Sequence, residues 1–354
     1  MIFKNALCRF AGISALIMML GPPSASASEF GIDRSGLSLQ SPAIQEKTFE
    51  NIRGLGASWF RDGPTSGSAQ GVANFVNEVR LAKQQRLKIL VNIVQMDEDY
   101  DGPLPIHDHG WKAKKLSQIN LDKFTRRLST LLSALKAADL AIDAVEFGNE
   151  DDSYYYDADV PSEHRATTDE LHIWLRGYGE FLRAGATVLH DPRYYPDAKI
   201  VTFGIAHGCD QCGGPPRHLS NPAKIVAMLK NVDGFNYLNN ASYRVDGYGT
   251  HIYASPNDVD GSVTRMLRED AAAVGSDKPL WVTEWGFQDI KAFPNKKGHS
   301  LSRTIQEFLD VLDRLRGQLS IGPIMFYRYD TWLADTSGKL LPQASVFSDY
   351  AAKR

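Results

Sequence analysis

Short apolar stretches alternate with longer amphipathic ones along most of this chain. Eight short ones are β-branched or apolar and bounded by Gly, Pro or charge, the pattern of buried strands. They are residues 30–33, 57–61, 88–94, 144–147, 199–204, 247–252, 280–284 and 323–327. Between them apolar residues recur at threes and fours, as one face of a helix requires. Val72, Phe75, Val76, Val79 and Ala82 make such a stripe, and Phe124, Leu128, Leu131, Leu132 and Leu135 make the next. Segments 171–189, 225–229, 263–273 and 301–315 continue the series, and a short last helix is expected over 344–352. Ser41-Pro42 opens the first helix with a capping residue followed by proline at the first helical position. Strand–helix alternation predicts an α/β fold, a parallel sheet covered by helices. Eight units fit a single closed (β/α)₈ TIM barrel better than a doubly wound open sheet.

The N-terminus departs from this pattern. Lys4 and Arg9 precede an apolar run over 11–20, Gly21-Pro22-Pro23 breaks it, and Ala25-Ser26-Ala27 offers the small residues of a cleavage site. Residues 1–27 therefore read as a cleavable signal peptide, with the catalytic barrel over 28–354. An uncleaved anchor is the alternative, but the run is short for a bilayer. Cys8 precedes it and is badly placed for a lipoprotein cysteine. Cleavage leaves 327 residues and takes the formal net charge from -3 to -5, because the leader holds two basic and no acidic residues. A chain this acidic lacks the basic face of a nucleic-acid binder. The expected destination is the periplasm or the medium, and the expected state a monomer with no membrane span. Cys209 and Cys212 remain after export; a disulfide, free thiols or, with His207 and His218 beside them, a zinc site are the readings of that CxxC.

In a barrel of this kind the chemistry sits at the C-terminal ends of the strands. The second predicted strand ends in Trp59-Phe60-Arg61-Asp62, the fourth in Phe147-Gly148-Asn149-Glu150 and the sixth in His251-Ile252-Tyr253. The seventh ends in Thr283-Glu284-Trp285-Gly286, and the eighth in Tyr327-Arg328-Tyr329 with Trp332 just beyond. Glutamates at the mouths of the fourth and seventh strands can face one another across a bound glycosidic bond. A separation of about 5–5.5 Å would give retention, and a wider one inversion.

Two of these runs resemble the motifs of glycoside hydrolase clan A. Val145-Glu146-Phe147-Gly148-Asn149-Glu150 resembles the fourth-strand motif, whose glutamate is the acid/base, and Trp281-Val282-Thr283-Glu284-Trp285-Gly286 the seventh-strand motif, whose glutamate is the nucleophile. His251-x-Tyr253 looks like the clan's sixth-strand pair, and Arg61 falls where several families place an arginine. Within the clan the chain looks closest to family 39 and its relatives and more loosely like family 5, without the β-sandwich domain common in family 39 xylosidases. The resemblance implies catalytic Glu150 and Glu284, with Arg61, Asn149, His251, Tyr253, Tyr327 and Trp332 holding substrate. The partner would be a β-linked polysaccharide or oligosaccharide. Glu284 must be ionised to attack, and Arg61 would favour that. Glu150 must hold a proton before the first step and lose it in that step. Asn149 would meet the sugar 2-hydroxyl, Tyr253 orient the nucleophile, His251 bridge nucleophile network and sugar, and Tyr327 or Trp332 floor a subsite.

Other features are weaker. His107-Asp108-His109 is a possible metal-ligand set, but it lies after the third strand rather than the first, and no metal or cofactor is expected. Asp151-Asp152-Ser153-Tyr154-Tyr155-Tyr156 suits a polysaccharide subsite or a packed loop. No Gly-x-Gly-x-x-Gly, Walker or Gly-x-Ser-x-Gly motif occurs. Transglycosylation by the same glutamates and a non-catalytic carbohydrate-binding barrel are the competing functions.

Overall fold

The computed structural model describes residues 29–102, 114–207, 222–231, 245–275, 278–287 and 293–353. The signal peptide, the Cys209/Cys212 pair, His218 and the His107/His109 set lie outside the described residues.

Among the described residues, nine parallel strands are interleaved with helices, except that β6 follows β5 directly: β1 (Phe30–Asp33), α1 (Pro42–Gly54), β2 (Trp59–Asp62), α2 (Ala69–Gln84), β3 (Lys88–Ile93), α3 (Leu121–Ala137), β4 (Ala144–Phe147), α4 (Thr168–Leu189), β5 (Lys199–Thr202), β6 (Ile205–Ala206), α5 (Pro222–Asn231), β7 (Tyr248–Ala254), α6 (Val259–Val274), β8 (Leu280–Phe287), α7 (Leu301–Arg316), β9 (Ile321–Phe326), a one-turn α8 (Tyr329–Trp332) and α9 (Ser345–Ala352). The predicted fifth strand is β5, which stops two residues short of the expected end, with the unpredicted β6 just beyond it, and the predicted sixth to eighth strands are β7 to β9. β2 begins two residues later than predicted, and β8 runs three residues past Glu284. The order is β5-β4-β3-β2-β1-β9-β8-β7-β6. The ends meet where Val201 bridges Gly247 and the Asp246 amide donates to the Ile200 carbonyl at 2.7 Å. This is the expected TIM-barrel architecture.

The helices form where the sequence places caps and stripes. Ser68 and Ser300 accept from the amides of Gly71 and Arg303, and Thr167 with Glu170 makes a capping box on α4. Ser41 precedes Pro42 as expected, but its side chain makes no capping hydrogen bond. On α7, Ile305, Phe308, Leu309, Leu312 and Leu315 are buried on one face. Successive strand residues point to opposite faces of the sheet. Trp59, Leu90, Ala144, Val201, Trp281 and Met325 form an apolar cluster inside the barrel. Two residues further along their strands come Arg61, Asn92 and Glu146, so a polar layer stands above the apolar one.

Candidate active site

Arg61 is the hub of that polar layer. Its side chain is 3% exposed, and it touches three carboxylates. Its Nε donates to Glu146 Oε2 at 2.6 Å, while Nη1 donates to Asp33 Oδ2 at 2.5 Å and to Glu284 Oε1 at 2.7 Å. Its Nη2 donates to Asn149 Oδ1 at 2.7 Å, which leaves the Asn149 amide group to donate. Arg61 makes no ion pair with its chain neighbour Asp62. Asp62 instead accepts from the amides of Gly36, Leu37 and Gly63.

Glu150 sits on a sharp bend after β4. Gly148 has φ +94° and Glu150 itself φ +49°, a region that non-glycine residues rarely occupy. A Cβ on Gly148 would fall 1.9 Å from Asp151 Oδ2. Asn92 Nδ2 holds the bend from β3 through the Gly148 carbonyl at 2.8 Å and also donates to Glu146 Oε2 at 3.0 Å.

A register shift between Thr250 and His251 aligns His251 with Glu284 across β7 and β8. Such bulges re-aim side chains beside active sites. His251 is fully buried, with Nδ1 2.8 Å from Glu150 Oε1 and 3.6 Å from Glu284 Oε2. It therefore bridges the two glutamates and touches Glu150 more closely than Glu284. Tyr253 donates to Glu284 Oε2. One oxygen of Glu150 and one of Glu284 lie within 4.8 Å of each other.

Burial alone would raise the Glu284 carboxyl, but the charges of His251 and Arg61 and the bond from Tyr253 hold it below its ordinary value. Burial would lower His251, and the two glutamates outweigh it and raise it. Tyr327 is half-buried and meets Tyr253 edge-on, with centroids 6.1 Å apart. Trp332 stands apart from this group: it is 6% exposed and packs against Phe287 and Phe293. The structure gathers Arg61, Asn149, Glu150, His251, Tyr253, Glu284 and Tyr327, and leaves Trp332 in the rim packing.

Three participants do not stand out in the sequence. Asp33 ends β1, Asn92 lies in β3 and Glu146 in the middle of β4. The available signal is a charged or amide residue inside an otherwise apolar buried strand, where an unpartnered polar group is costly. Of the three consecutive tyrosines, Tyr154 and Tyr155 pack with ring centroids 4.1 Å apart and planes tilted by 31°, with Tyr154 buried in the core. Tyr156 faces the site: burial pushes its hydroxyl up, and the charges of Glu150 and Glu284 add to the rise.

Glu150, His251 and Glu284 are the one group of potential metal donors gathered among the described residues. Both Glu284 oxygens already accept from Arg61 and Tyr253, and the guanidinium would repel a cation placed there. The set suits proton transfer and nucleophilic attack. No described helix is long and apolar enough to cross a membrane.

Compared as a sequence, the chain matches no protein-family model and no curated protein. Solved structures share its fold. A GH5-4 broad specificity endoglucanase from an uncultured bacterium superposes with a TM-score of 0.60 at 11% identity, over 93% of this chain and 94% of that one. GH5_18 from Bifidobacterium longum gives 0.59 at 16% identity, covering 93% and 79%. The endo-1,4-beta-D-mannanase from Thermotoga petrophila gives 0.58 at 14% identity, covering 92% and 100%. What these chains share with the present one is the barrel. Two of them carry a family 5 designation; at 11% and 16% identity the likeness is one of fold, and it lends nothing to the expected family 39 kinship.

Proposed function

We propose that this chain is an exported retaining glycoside hydrolase that cleaves a β-linked polysaccharide by double displacement. The observation that carries the reading is the approach of Glu150 and Glu284 to within 4.8 Å, oxygen to oxygen. Carboxyl groups about 5–5.5 Å apart leave no room for a water between acid and base, whereas inverting pairs stand about 6.5–9.5 Å apart. The shared barrel with family 5 glycosidases supports the same reading.

Each side chain then has a task. Glu284, held ionised, attacks the anomeric carbon. Glu150 gives its proton to the departing oxygen, and the glycosyl-enzyme forms. A water then attacks the same carbon from the vacated side, gives its proton to Glu150, and Glu284 leaves as carboxylate. Asn149, its carbonyl engaged by Arg61, donates to the 2-hydroxyl, a contact that strengthens in the oxocarbenium-like transition state. His251 lies between the glutamates and links their charge changes. Tyr327 and Tyr156 offer aromatic surface beside the scissile bond.

The test is hydrolysis of a panel of β-linked glucans, mannans, galactans and xylans. Glu284→Gln is expected to abolish cleavage, and Glu150→Ala to lower it about 10²–10⁴-fold on unactivated substrate. Full activity in either variant would sink the assignment. Proton NMR of the first product should show the β-anomer; an α-anomer would refute double displacement. Recovery of the processed chain outside the cytoplasm, beginning at residue 28, tests export.

A further inference from the structure

We propose that Asp33 is a positioning residue that exchanges a proton with solvent as Glu284 changes charge, so that Arg61 stays pinned through both halves of the reaction. The inference rests on the retaining reading above and extends it to a third carboxyl.

The geometry begins at one nitrogen. Arg61 Nη1 serves Asp33 Oδ2 at 2.5 Å and Glu284 Oε1 at 2.7 Å, so its two N–H groups join nucleophile and Asp33 directly. Nε is committed to Glu146 and Nη2 to Asn149. Asp33 is fully buried, and Glu284 is 6% exposed. With all three acids ionised, one guanidinium would face three negative charges out of water, which is costly. Esterification of Glu284 then removes one of those charges. Arginine cannot answer by losing a proton, so the compensating proton must reside on a carboxyl.

The partners decide which one. Glu146 Oε2 accepts Arg61 Nε and Asn92 Nδ2, while its Oε1 is buried with no hydrogen-bond partner, so no hydroxyl beside it can turn from donor to acceptor. Asp62 accepts three backbone amides and has no direct bond to Arg61. Asp33 Oδ1 accepts from the amide of Ser35 at 3.2 Å and lies 3.1 Å from its hydroxyl. A hydroxyl can donate to a carboxylate and accept from a carboxylic acid. Asp33 is therefore the acid whose surroundings accommodate both forms. The charged and titratable groups around it are Arg61 and Asp62 from β2, Glu284 from β8, Tyr327 after β9 and Arg34 next in the chain. Burial, against the charge of Arg61 and with that of Glu284, pushes the Asp33 carboxyl up to about 7.

As Glu284 bonds to the anomeric carbon and the glycosidic C–O bond breaks, the leaving oxygen takes the Glu150 proton. The negative charge on Glu284 disappears, and the Asp33 proton passes to water. When water attacks the glycosyl-enzyme, its proton goes to Glu150, the Glu284 carboxylate returns, and Asp33 takes a proton back from solvent.

A titration that needs no turnover tests this. In the full mature protein labelled with ¹³C at aspartate carboxyls, the Asp33 signal is assigned by its loss in Asp33→Asn. In the wild type it should titrate near neutrality. Glu284→Gln has no charge at that position, as the ester has none, and should lower the Asp33 midpoint by about one pH unit or more, the effect of removing a nearby buried like charge. Should the glutamine variant not fold, Glu284→Ser removes the same charge and should act in the same direction. A midpoint unmoved by loss of the Glu284 charge, or an Asp33 ionised throughout from pH 5, overturns the proposal. A purely structural Asp33 would move neither signal nor midpoint. Hydrolysis is assayed separately, so an inactive protein counts against the glycosidase reading, and an unresponsive Asp33 counts against this inference alone.

Discussion

Glu150 and Gly148 occupy left-handed backbone two residues apart. Glycine adopts such backbone freely, but for Glu150 it costs on the order of 1–3 kcal/mol and persists where surrounding contacts impose it. Here the contacts are the Asn92 side chain on the Gly148 carbonyl and the Glu150 amide on the Gly204 carbonyl at 3.2 Å. The bend turns Glu150 toward His251 and Glu284. Gly148→Ala would place a methyl 1.9 Å from Asp151 Oδ2 and 2.9 Å from Phe203 Cβ, at a φ that alanine resists. It should destabilise the protein by roughly 2–4 kcal/mol and reduce activity through Glu150. Urea unfolding measures the first effect, and a change under about 0.5 kcal/mol, the range of an ordinary surface substitution, would contradict it.

At the level of elements, the loop after β4 is held by carboxylates rather than by apolar packing alone. Asp157 Oδ1 accepts from the amides of Leu116 and Asp159. Asp159 takes the Ser117 amide at 2.8 Å and the Ser117 hydroxyl at 2.7 Å. Ser117 itself packs where Gly177 of α4 leaves room, since a Cβ there would come within 2.6 Å of the Ser117 nitrogen. The loop that carries Tyr156 is thereby tied to the turn at 116–118 that precedes α3 and packs on α4. Asp159→Ala removes both acceptors for Ser117 and should cost about 1–3 kcal/mol, read as a lowered thermal midpoint. Because Glu150 is anchored separately through Gly204, the catalytic loss should be smaller than in Gly148→Ala. An Asp159→Ala variant less active than Gly148→Ala would show that the loop, not the bend, positions Glu150.

The whole molecule is rich in buried acids that favour their protonated forms. Burial pushes Asp33 up to about 7, Asp62 to about 6 and Asp152 to about 8, and raises Glu78, Asp151 and Asp157 well above the ordinary value. An acid whose folded value exceeds its unfolded one binds its proton more tightly in the native state. Its contribution is complete below the unfolded value near 4 and is lost as pH rises through the folded value. Each unit of difference is worth about 1.4 kcal/mol. His251, raised in the fold, acts in the same direction. Glu284 acts oppositely, but only as pH falls below its unfolded value of 4.5. Thermal stability should therefore peak near pH 4–5 and decline toward pH 8, as the windows of these groups dictate. Midpoints from differential scanning fluorimetry across that range check it; a midpoint higher at pH 8 than at pH 5 would refute it. Asp33→Asn should flatten the decline.

Much of this was readable from periodicity. Strand and helix declare themselves locally, through side-chain spacings of two and of three to four residues, so the barrel and the polar strand ends follow without tertiary knowledge. The places of the glutamates, Arg61, Asn149 and the His251-x-Tyr253 pair at strand ends were legible for that reason, while their expected roles came from the resemblance to clan A. Partner identity was not, because Arg61 and Glu284 are 223 residues apart in sequence and touch only once the barrel closes. Closure turned Asp33 and Glu146 from strand residues into counter-charges, aimed His251 at Glu150, and put Trp332 against Phe287 and Phe293 rather than beside the glutamates. It also ended the fifth strand short of Phe203, whose amide bonds to the Tyr178 hydroxyl at 3.1 Å. Sequence by itself determined which residues stand at the mouth of the barrel. The tertiary structure decided which of them share charge, since electrostatic coupling depends on separation and burial in space, not on position along the chain.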